Sequence, residues 1–278
     1  MKLPVTVVVP VKNEERNLPH FFVALNESFH QVIVVDSSSS DRTVAISLER
    51  GAKVLQFEWN GRYPKKRNWA LQEVKFETPW VLFLDADEFV TPGFIAELGR
   101  KLPVTHHSGF WLSFENWFMG APLRHGDPFQ KLALFRVDAG QYERFPEDSW
   151  CDLDMEVHEH PVLSGEIGKI ISPIQHHDYR GLRHYIAKHN EYSSWEARRF
   201  LWLEAQGPDV WQSLTKRQRF KYRNLDRWWL AWTYFLASYG YRRGFLDGRQ
   251  GWVFNCMKLR YFIDIRLKIN EHRQACDE

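Results

Sequence analysis

The sequence predicts an α/β fold, a doubly wound, mostly parallel sheet with a helical extension at the carboxyl end, and three observations carry that reading. Short β-rich runs without polar alternation recur at residues 5–9, 31–35, 54–57 and 80–84, the mark of strands covered on both faces. Segments of helical character lie between them, so strand and helix alternate as in right-handed βαβ units. Past about Tyr179 the β-rich runs give way to an aromatic and basic stretch.

The elements follow in order. Residues 3–11 are apolar behind Lys2, but Pro4 and Pro10 interrupt the run, and Lys12, Asn13, Glu14 and Glu15 stand where a small-residue cleavage site would be needed. A buried first strand is expected, not a signal peptide. A helix over 41–50 begins after a serine-rich cap and stops at Gly51, and another over 63–75 precedes the fourth strand. Thr91 followed by Pro92 reads as an N-cap and first helical position, opening a helix that reaches about Lys101. In the carboxyl part, helices are expected over 182–202, 216–239 and 252–270, with Gly207-Pro208 as a break. In the last of these, Trp252, Cys256, Leu259 and Ile263 recur at helical spacing. The domain expectation is 1–178 as a catalytic domain, divided into 1–100 and 101–178, followed by a helical region over 179–278.

Composition bounds the function. The chain has 278 residues, 44% hydrophobic and 26% charged, near the averages of folded domains, which excludes wholesale disorder. Cys151, Cys256 and Cys276 form no CxxC pair, so a reducing compartment such as the cytoplasm is expected rather than a zinc ribbon or a disulfide framework. The net charge of +2 conceals an asymmetry: residues 216–273 carry 14 Lys/Arg against 4 Asp/Glu, leaving 23 against 31 elsewhere. The most apolar stretch, 228–241, is too short to span a bilayer. No GxGxxG or GxxxxGK[ST] loop is present, so any phosphate must be neutralised by other means.

In a wound sheet the ligand crevice lies beyond the carboxyl ends of the strands. Those ends carry Pro10 to Glu14, Asp36, and Asp85-Ala86-Asp87. Unpaired carboxylates at the mouth of a hydrophobic strand repel, and a divalent cation bridging them to a diphosphate resolves the repulsion; an acidic turn ahead of the helix at Thr91 is the alternative. Lys65-Lys66-Arg67 reads either as a phosphate-facing group or as a solvated helix face. Residues 152–160 offer four carboxylates and two histidines, and strand alternation puts Asp154, Glu156, His158 and His160 on one face, with Glu159 on the other.

Three motifs in this order, Val9-Pro10-Val11-Lys12-Asn13-Glu14-Glu15, Val34-Val35-Asp36-Ser37-Ser38-Ser39-Ser40-Asp41 and Leu84-Asp85-Ala86-Asp87-Glu88, resemble the inverting glycosyltransferases of family 2, which have the GT-A fold. Val157-His158-Glu159 and His176-His177-Asp178-Tyr179-Arg180 are similar to a bacterial subgroup that builds lipopolysaccharide cores and other envelope glycans. The resemblance implies that Pro10, Glu14 and Asp36 hold the nucleoside of a nucleotide sugar, with Lys66, Arg67 and Asp85 toward its diphosphate. It implies Mn²⁺ or Mg²⁺ on Asp85 and Asp87, with His176 completing the metal shell. Glu159 is the expected base for the acceptor hydroxyl, with Glu156 and Asp154 as rivals.

A lipid-linked or cell-envelope glycan acceptor is implied as well. The cluster of Trp228, Trp229, Trp232, Tyr234 and Phe235 with Arg227, Arg242 and Arg243 matches an interfacial segment, so the expected location is the inner face of the plasma membrane, held peripherally by anionic lipid. Packing of these rings as ordinary core, or an oligomer interface, is the alternative. No nucleic-acid motif accompanies them. Two rival activities share these features: a sugar nucleotidyltransferase, which would need a glycine-rich loop after the first strand, and a non-catalytic membrane- or glycan-binding protein.

Overall fold

The computed structural model describes residues 2–144, 154 and 160–277. The chain divides into two compact units, one made of residues 1–117 and 128–180 and the other of 118–127 and 181–278. Residues 118–127 thus belong with the helical unit.

In the first unit, β1 (Leu3–Val11), β2 (Phe29–Asp36), β3 (Lys53–Gln56) and β4 (Trp80–Phe83) occupy the four β-rich runs. They are followed by β5 (Glu88–Phe89) and β6 (Gly109–Phe118). After β7 (Ala121–Leu123), which belongs to the other unit, come β8 (Phe129–Arg136), β9 (Gly140–Tyr142), β10 (Pro161–Leu163) and β11 (Ile167–His176). The main sheet runs β3-β2-β1-β4-β8-β6-β11-β5, and β9 pairs with β10 in a separate ribbon. β1 pairs in parallel with β2 and β4, β2 with β3, and β6 with β11, whereas β8 is antiparallel to β4 and β6, and β5 to β11. This is the wound α/β sheet the sequence predicts.

The lack of polar alternation in the strands follows from double-sided burial. Val5, Val7, Val9 and Val11 of β1 pack with Leu18 and Phe21 of α1 (Leu18–Leu25) and with Phe94 and Leu98 of the later helix that ends at Lys101. Val8, Ile33, Val35, Val81 and Phe83 point the other way, against Ala70. Helix α1 escapes the sequence reading. Helix α2 (Thr43–Glu49) begins later than expected and no serine caps it; the Asp41 carboxylate accepts from Thr43 N at 2.9 Å. Helix α3 (Lys66–Glu73) carries Ala70, and α4 (Pro92–Lys101) is capped as expected, Thr91 Oγ1 accepting from Phe94 N at 3.2 Å, a contact worth about 1 kcal/mol.

The second unit holds α5 (Gly181–Glu204), α6 (Pro208–Ser213), α7 (Lys216–Asn224), α8 (Trp228–Phe235) and α9 (Gly248–Asp277). The single helix expected over 216–239 is broken at Leu225–Arg227, where Leu225 is buried and Arg227 is extended, and α8 passes into a π-helical turn over Leu236–Tyr241. The buried stripe of α9 is Tyr261, Ile265 and Ile269, packed with Ala197, Phe200 and Leu203 of α5. The expected stripe of Trp252, Cys256, Leu259 and Ile263 instead lies on a half-exposed face. Among the described residues no helix is long and apolar enough to cross a membrane.

Candidate functional site

Parallel pairing brings the carboxyl ends of β1 and β2 level, Val11 standing opposite Asp36. Pro10 is buried in β1 opposite Val35. The two following loops are laced together: Asn13 N donates to Ser39 Oγ at 2.8 Å, Ser40 N to Asn13 Oδ1 at 2.9 Å, and Glu14 N to Thr43 Oγ1 at 2.7 Å. Asn13 and Ser38 both take left-handed backbone conformations, with φ of 56° and 54°, which ordinary side chains resist. Asp36 is 1% exposed, and its carboxylate accepts from the backbone N–H and the hydroxyl of Ser39. The serine run thus forms this turn rather than capping α2.

Helix α3 is docked by a reciprocal pair, Tyr142 N donating to Asn68 Oδ1 at 2.9 Å and Asn68 Nδ2 to Tyr142 O at 3.1 Å. That fixes Lys66 and Arg67. Lys66 is 1% exposed, so the solvated-face alternative is removed; its ammonium donates to Val11 O at 3.2 Å and lies 3.0 Å from Asp154 Oδ2. Burial pulls the Lys66 pKa down. Burial also opposes ionisation of Asp154, but the Lys66 charge outweighs it and holds the carboxyl below its ordinary value.

Beyond β4 the two aspartates diverge. Asp85 accepts from Arg67 Nη2 at 2.8 Å and from Lys131 Nζ at 2.7 Å. Lys131 also binds Glu88, which is fully buried and accepts from Asp85 N at 3.0 Å. Desolvation pushes the Glu88 pKa up; at Lys131 desolvation works downward but is outweighed by Asp85 and Glu88, and the pKa is raised. Both Asp85 oxygens therefore face protein cations rather than an open coordination position, which departs from the expected metal role. Lys131 gave no signal in the sequence.

Asp87 is 2% exposed. Pairing of β5 with β11 sets Glu88 opposite His176, and His177 N donates to Asp87 O at 2.8 Å. His176 Nε2 stands 3.5 Å from Asp87 Oδ2, and Arg180 Nη2 stands 3.6 Å from the same oxygen. His176 Nδ1 meets Asn116 Oδ1 at 3.0 Å, which orients the ring so that Nε2 is the nitrogen turned toward Asp87. A carboxylate oxygen and an imidazole nitrogen facing one another at this range suit a shared divalent cation. Among the described residues no group of three His, Cys, Asp or Glu could hold a metal unaided. A cation held by Asp87 and His176 alone would have to complete its shell with water and phosphate oxygens, as Mg²⁺ and Mn²⁺ do.

The segment after β11 folds back on the β1 loop. Arg180 Nε and Nη2 donate to Asp178 at 2.8 and 3.0 Å, and Nη1 donates to Glu14. Burial disfavours the guanidinium charge, yet Asp178, Glu14 and Asp87 outweigh it and raise the pKa. Asn17 Nδ2 donates to Glu14 and Asp178, and Tyr179 N donates to Asn17 Oδ1 at 2.8 Å. Trp117, His177, Tyr179 and His20 stack in a column with ring centroids 5.3, 4.2 and 4.1 Å apart. Asn17 and Arg180 are thus members of the site that sequence reasoning did not single out. Glu156 and Glu159 lie outside the described residues, as does His158.

The sequence model of Glycosyl transferase family 2 matches residues 6–145, the stretch that carries both laced loops and the Asp85–Asp87 turn. The chain belongs to this family. It is a glycosyltransferase by class, which sets aside the sugar nucleotidyltransferase alternative. An uncharacterized glycosyltransferase of Rickettsia felis is 24% identical over 255 residues, covering 90% of this chain and 83% of that one. A TPR repeat-containing protein of Synechococcus elongatus is 36% identical over 84 residues; the match covers 30% of this chain and spans only 20% of that relative. The crystal structure of S. aureus TarS aligns over 99% of this chain and 92% of that one, at 14% identity and a TM-score of 0.44.

Proposed function

We propose that the protein is a metal-assisted, inverting glycosyltransferase that moves a sugar from a nucleotide-sugar donor to a lipid-linked or cell-envelope glycan acceptor of the lipopolysaccharide-core type. The observation that supports it most is the Asp87 carboxylate facing His176 Nε2 at 3.5 Å beyond the carboxyl ends of the sheet. Mn²⁺ or Mg²⁺ held by Asp87 and His176 would supply countercharge to the departing nucleoside diphosphate.

The chain's own residues do the rest. Pro10, Glu14 and the Asp36 turn form the wall for the nucleoside. Arg180, fixed by Asp178 and Glu14, adds positive charge beside Asp87. Arg67 and Lys131 neutralise Asp85, so that this carboxylate does not repel the donor's phosphates. Asp154, committed to Lys66 and held ionised, is a weak base, and the proton of the acceptor hydroxyl passes to Glu159 or Glu156. The bond from the anomeric carbon to the phosphate oxygen breaks as the bond to the acceptor oxygen forms on the opposite face, inverting the configuration. Peripheral association with the inner face of the plasma membrane belongs to the same proposal.

The test is turnover of a panel of nucleotide sugars by purified protein with Mn²⁺ or Mg²⁺, following nucleoside diphosphate release and the anomeric configuration of the product by NMR. Asp87→Ala is expected to lower release by roughly 100-fold or more with an unchanged melting temperature. Full activity in that variant would refute the assignment of Asp87. Binding of glycan without turnover of any donor would favour the non-catalytic reading.

A further inference from the structure

The second unit carries an apolar face that its own core does not use. Trp228, Trp232 and Leu236 are 66%, 49% and 65% exposed, and their four-residue spacing lines them along one side of α8 and the π-helical turn that continues it. Their neighbours Leu230 and Ala231 are the buried side. The packing alternative raised by the sequence therefore holds for one side of this helix and fails for the other.

The exposed rings are continuous with the start of α9. Trp232 meets Phe235 at 6.5 Å, Phe235 meets Trp252 at 5.8 Å, and Tyr239 meets both Trp252 at 5.3 Å and Phe245 at 6.2 Å. Tyr241 and Leu246, in the same stretch, are 88% and 54% exposed. So broad an apolar surface marks a contact site.

Charge selects the partner. Arg243 and Arg249 are exposed and make no ion pair among the described residues, and Arg227 stands at the start of α8. Arg242 is paired with Asp127 yet remains 44% exposed. Asp247 is the lone acid in residues 227–252. Its carboxylate is turned inward, accepting from Arg124 N at 3.1 Å and His125 N at 2.9 Å and meeting His125 Nδ1 at 2.8 Å, with 5% of the side chain exposed. The face thus offers tryptophan and tyrosine rings fringed by arginines, with its one carboxylate withdrawn. That pattern fits a bilayer interface, where amphipathic rings lie at headgroup depth and guanidiniums meet lipid phosphates. A second copy of the chain is a poorer occupant, because a symmetric contact would set the arginines against one another.

We infer that the face formed by α8, the π-helical turn and the first turn of α9 docks the protein on an anionic bilayer surface. This deepens the peripheral association proposed above by naming the surface responsible, and it does not depend on the transfer chemistry. The experiment is sedimentation of the full chain with vesicles of phosphatidylcholine alone or with about a third phosphatidylglycerol, in low and high salt. Binding to the anionic vesicles is expected to be at least about tenfold tighter and to weaken with salt. Arg243→Glu with Arg249→Glu, which touches no core residue, should weaken it about tenfold, and Trp232→Ser with Leu236→Ser by a similar factor. Donor turnover in vesicle-free buffer should be unchanged in both variants, separating failure of docking from failure of transfer. If the wild-type chain binds anionic vesicles and both variants bind equally well, membrane association stands but this face is wrong. Equal partition onto neutral and anionic vesicles, or self-association without vesicle binding, would overturn the inference altogether.

Discussion

Asp85 and Asp87 are two residues apart, yet they are held by basic neighbours at different range. Asp85 is bonded to Arg67 and Lys131 at 2.8 and 2.7 Å, in a network that ends on buried Glu88. Asp87 forms longer ion pairs, with His176 and Arg180 at 3.5 and 3.6 Å. The difference teaches that the two acids of a DXD pattern need not be equivalent: here one carboxylate is held closely by two cations and the other more loosely, as the cation site proposed above requires.

The comparison would break most visibly at Lys131. Lys131→Met leaves Glu88 and Asp85 facing each other with half their countercharge gone, and removal of one member of a buried ionic network costs about 3–5 kcal/mol. A fall of that size in unfolding free energy from urea denaturation is expected, with partial recovery when Glu88→Gln is added. A loss below about 0.5 kcal/mol would place the pair among ordinary surface contacts.

At the other aspartate the readout is metal, not stability. His176→Phe removes the imidazole facing Asp87, and the Mn²⁺ concentration giving half-maximal turnover should rise by about tenfold or more, the range seen when a metal's immediate environment is disturbed, with little change in melting temperature. An unchanged metal requirement would take His176 out of the cation's shell.

A third carboxylate, away from both, sharpens the contrast by showing what a purely structural acid does. Glu97 of α4 accepts from Ile171 N at 3.1 Å and Ser172 N at 2.8 Å, and pairs with Lys101 at 2.7 Å. Burial works against its charge, but Lys101 and the two backbone donors outweigh it and hold the pKa down to about 2. A lowered carboxyl pKa contributes stability that is fully present above the ordinary value of 4.5 and is lost as pH falls toward about 2. Glu97→Gln should cost about 1–3 kcal/mol at neutral pH and flatten stability between those limits, without altering donor turnover. A variant whose acid limb matches wild type would show that Glu97 does not carry this dependence.

The legible part of the molecule is the part governed by local pattern. Unbroken Val, Ile and Leu runs announce strands buried on both faces, and β1 to β4 formed there; Thr91-Pro92 announced a cap, and it formed. The motifs at the strand ends were legible because each is contiguous in sequence. What stayed hidden arises from long-range pairing. Lys131 reaches Asp85 across a separation of 46 residues, and nothing near position 131 hints at a carboxylate partner. Arg180 was quoted only as part of a motif, since its bond to Glu14 spans 166 residues. Helix α9 shows another reason: the spacing of Trp252, Cys256, Leu259 and Ile263 marks a helix but not which face is buried, and Tyr261, Ile265 and Ile269 face α5 while Trp252 is left outside.

The clasp of Arg180, Asp178 and Asn17 on the β1 loop joins the first motif of the chain to the last segment of its unit. A fragment that stops ahead of residue 176 carries all three signature motifs and nothing to close over them. During synthesis, the loop that begins the candidate site leaves the ribosome well before the strap that is bonded to it, so this arrangement is among the last features of the unit to become whole.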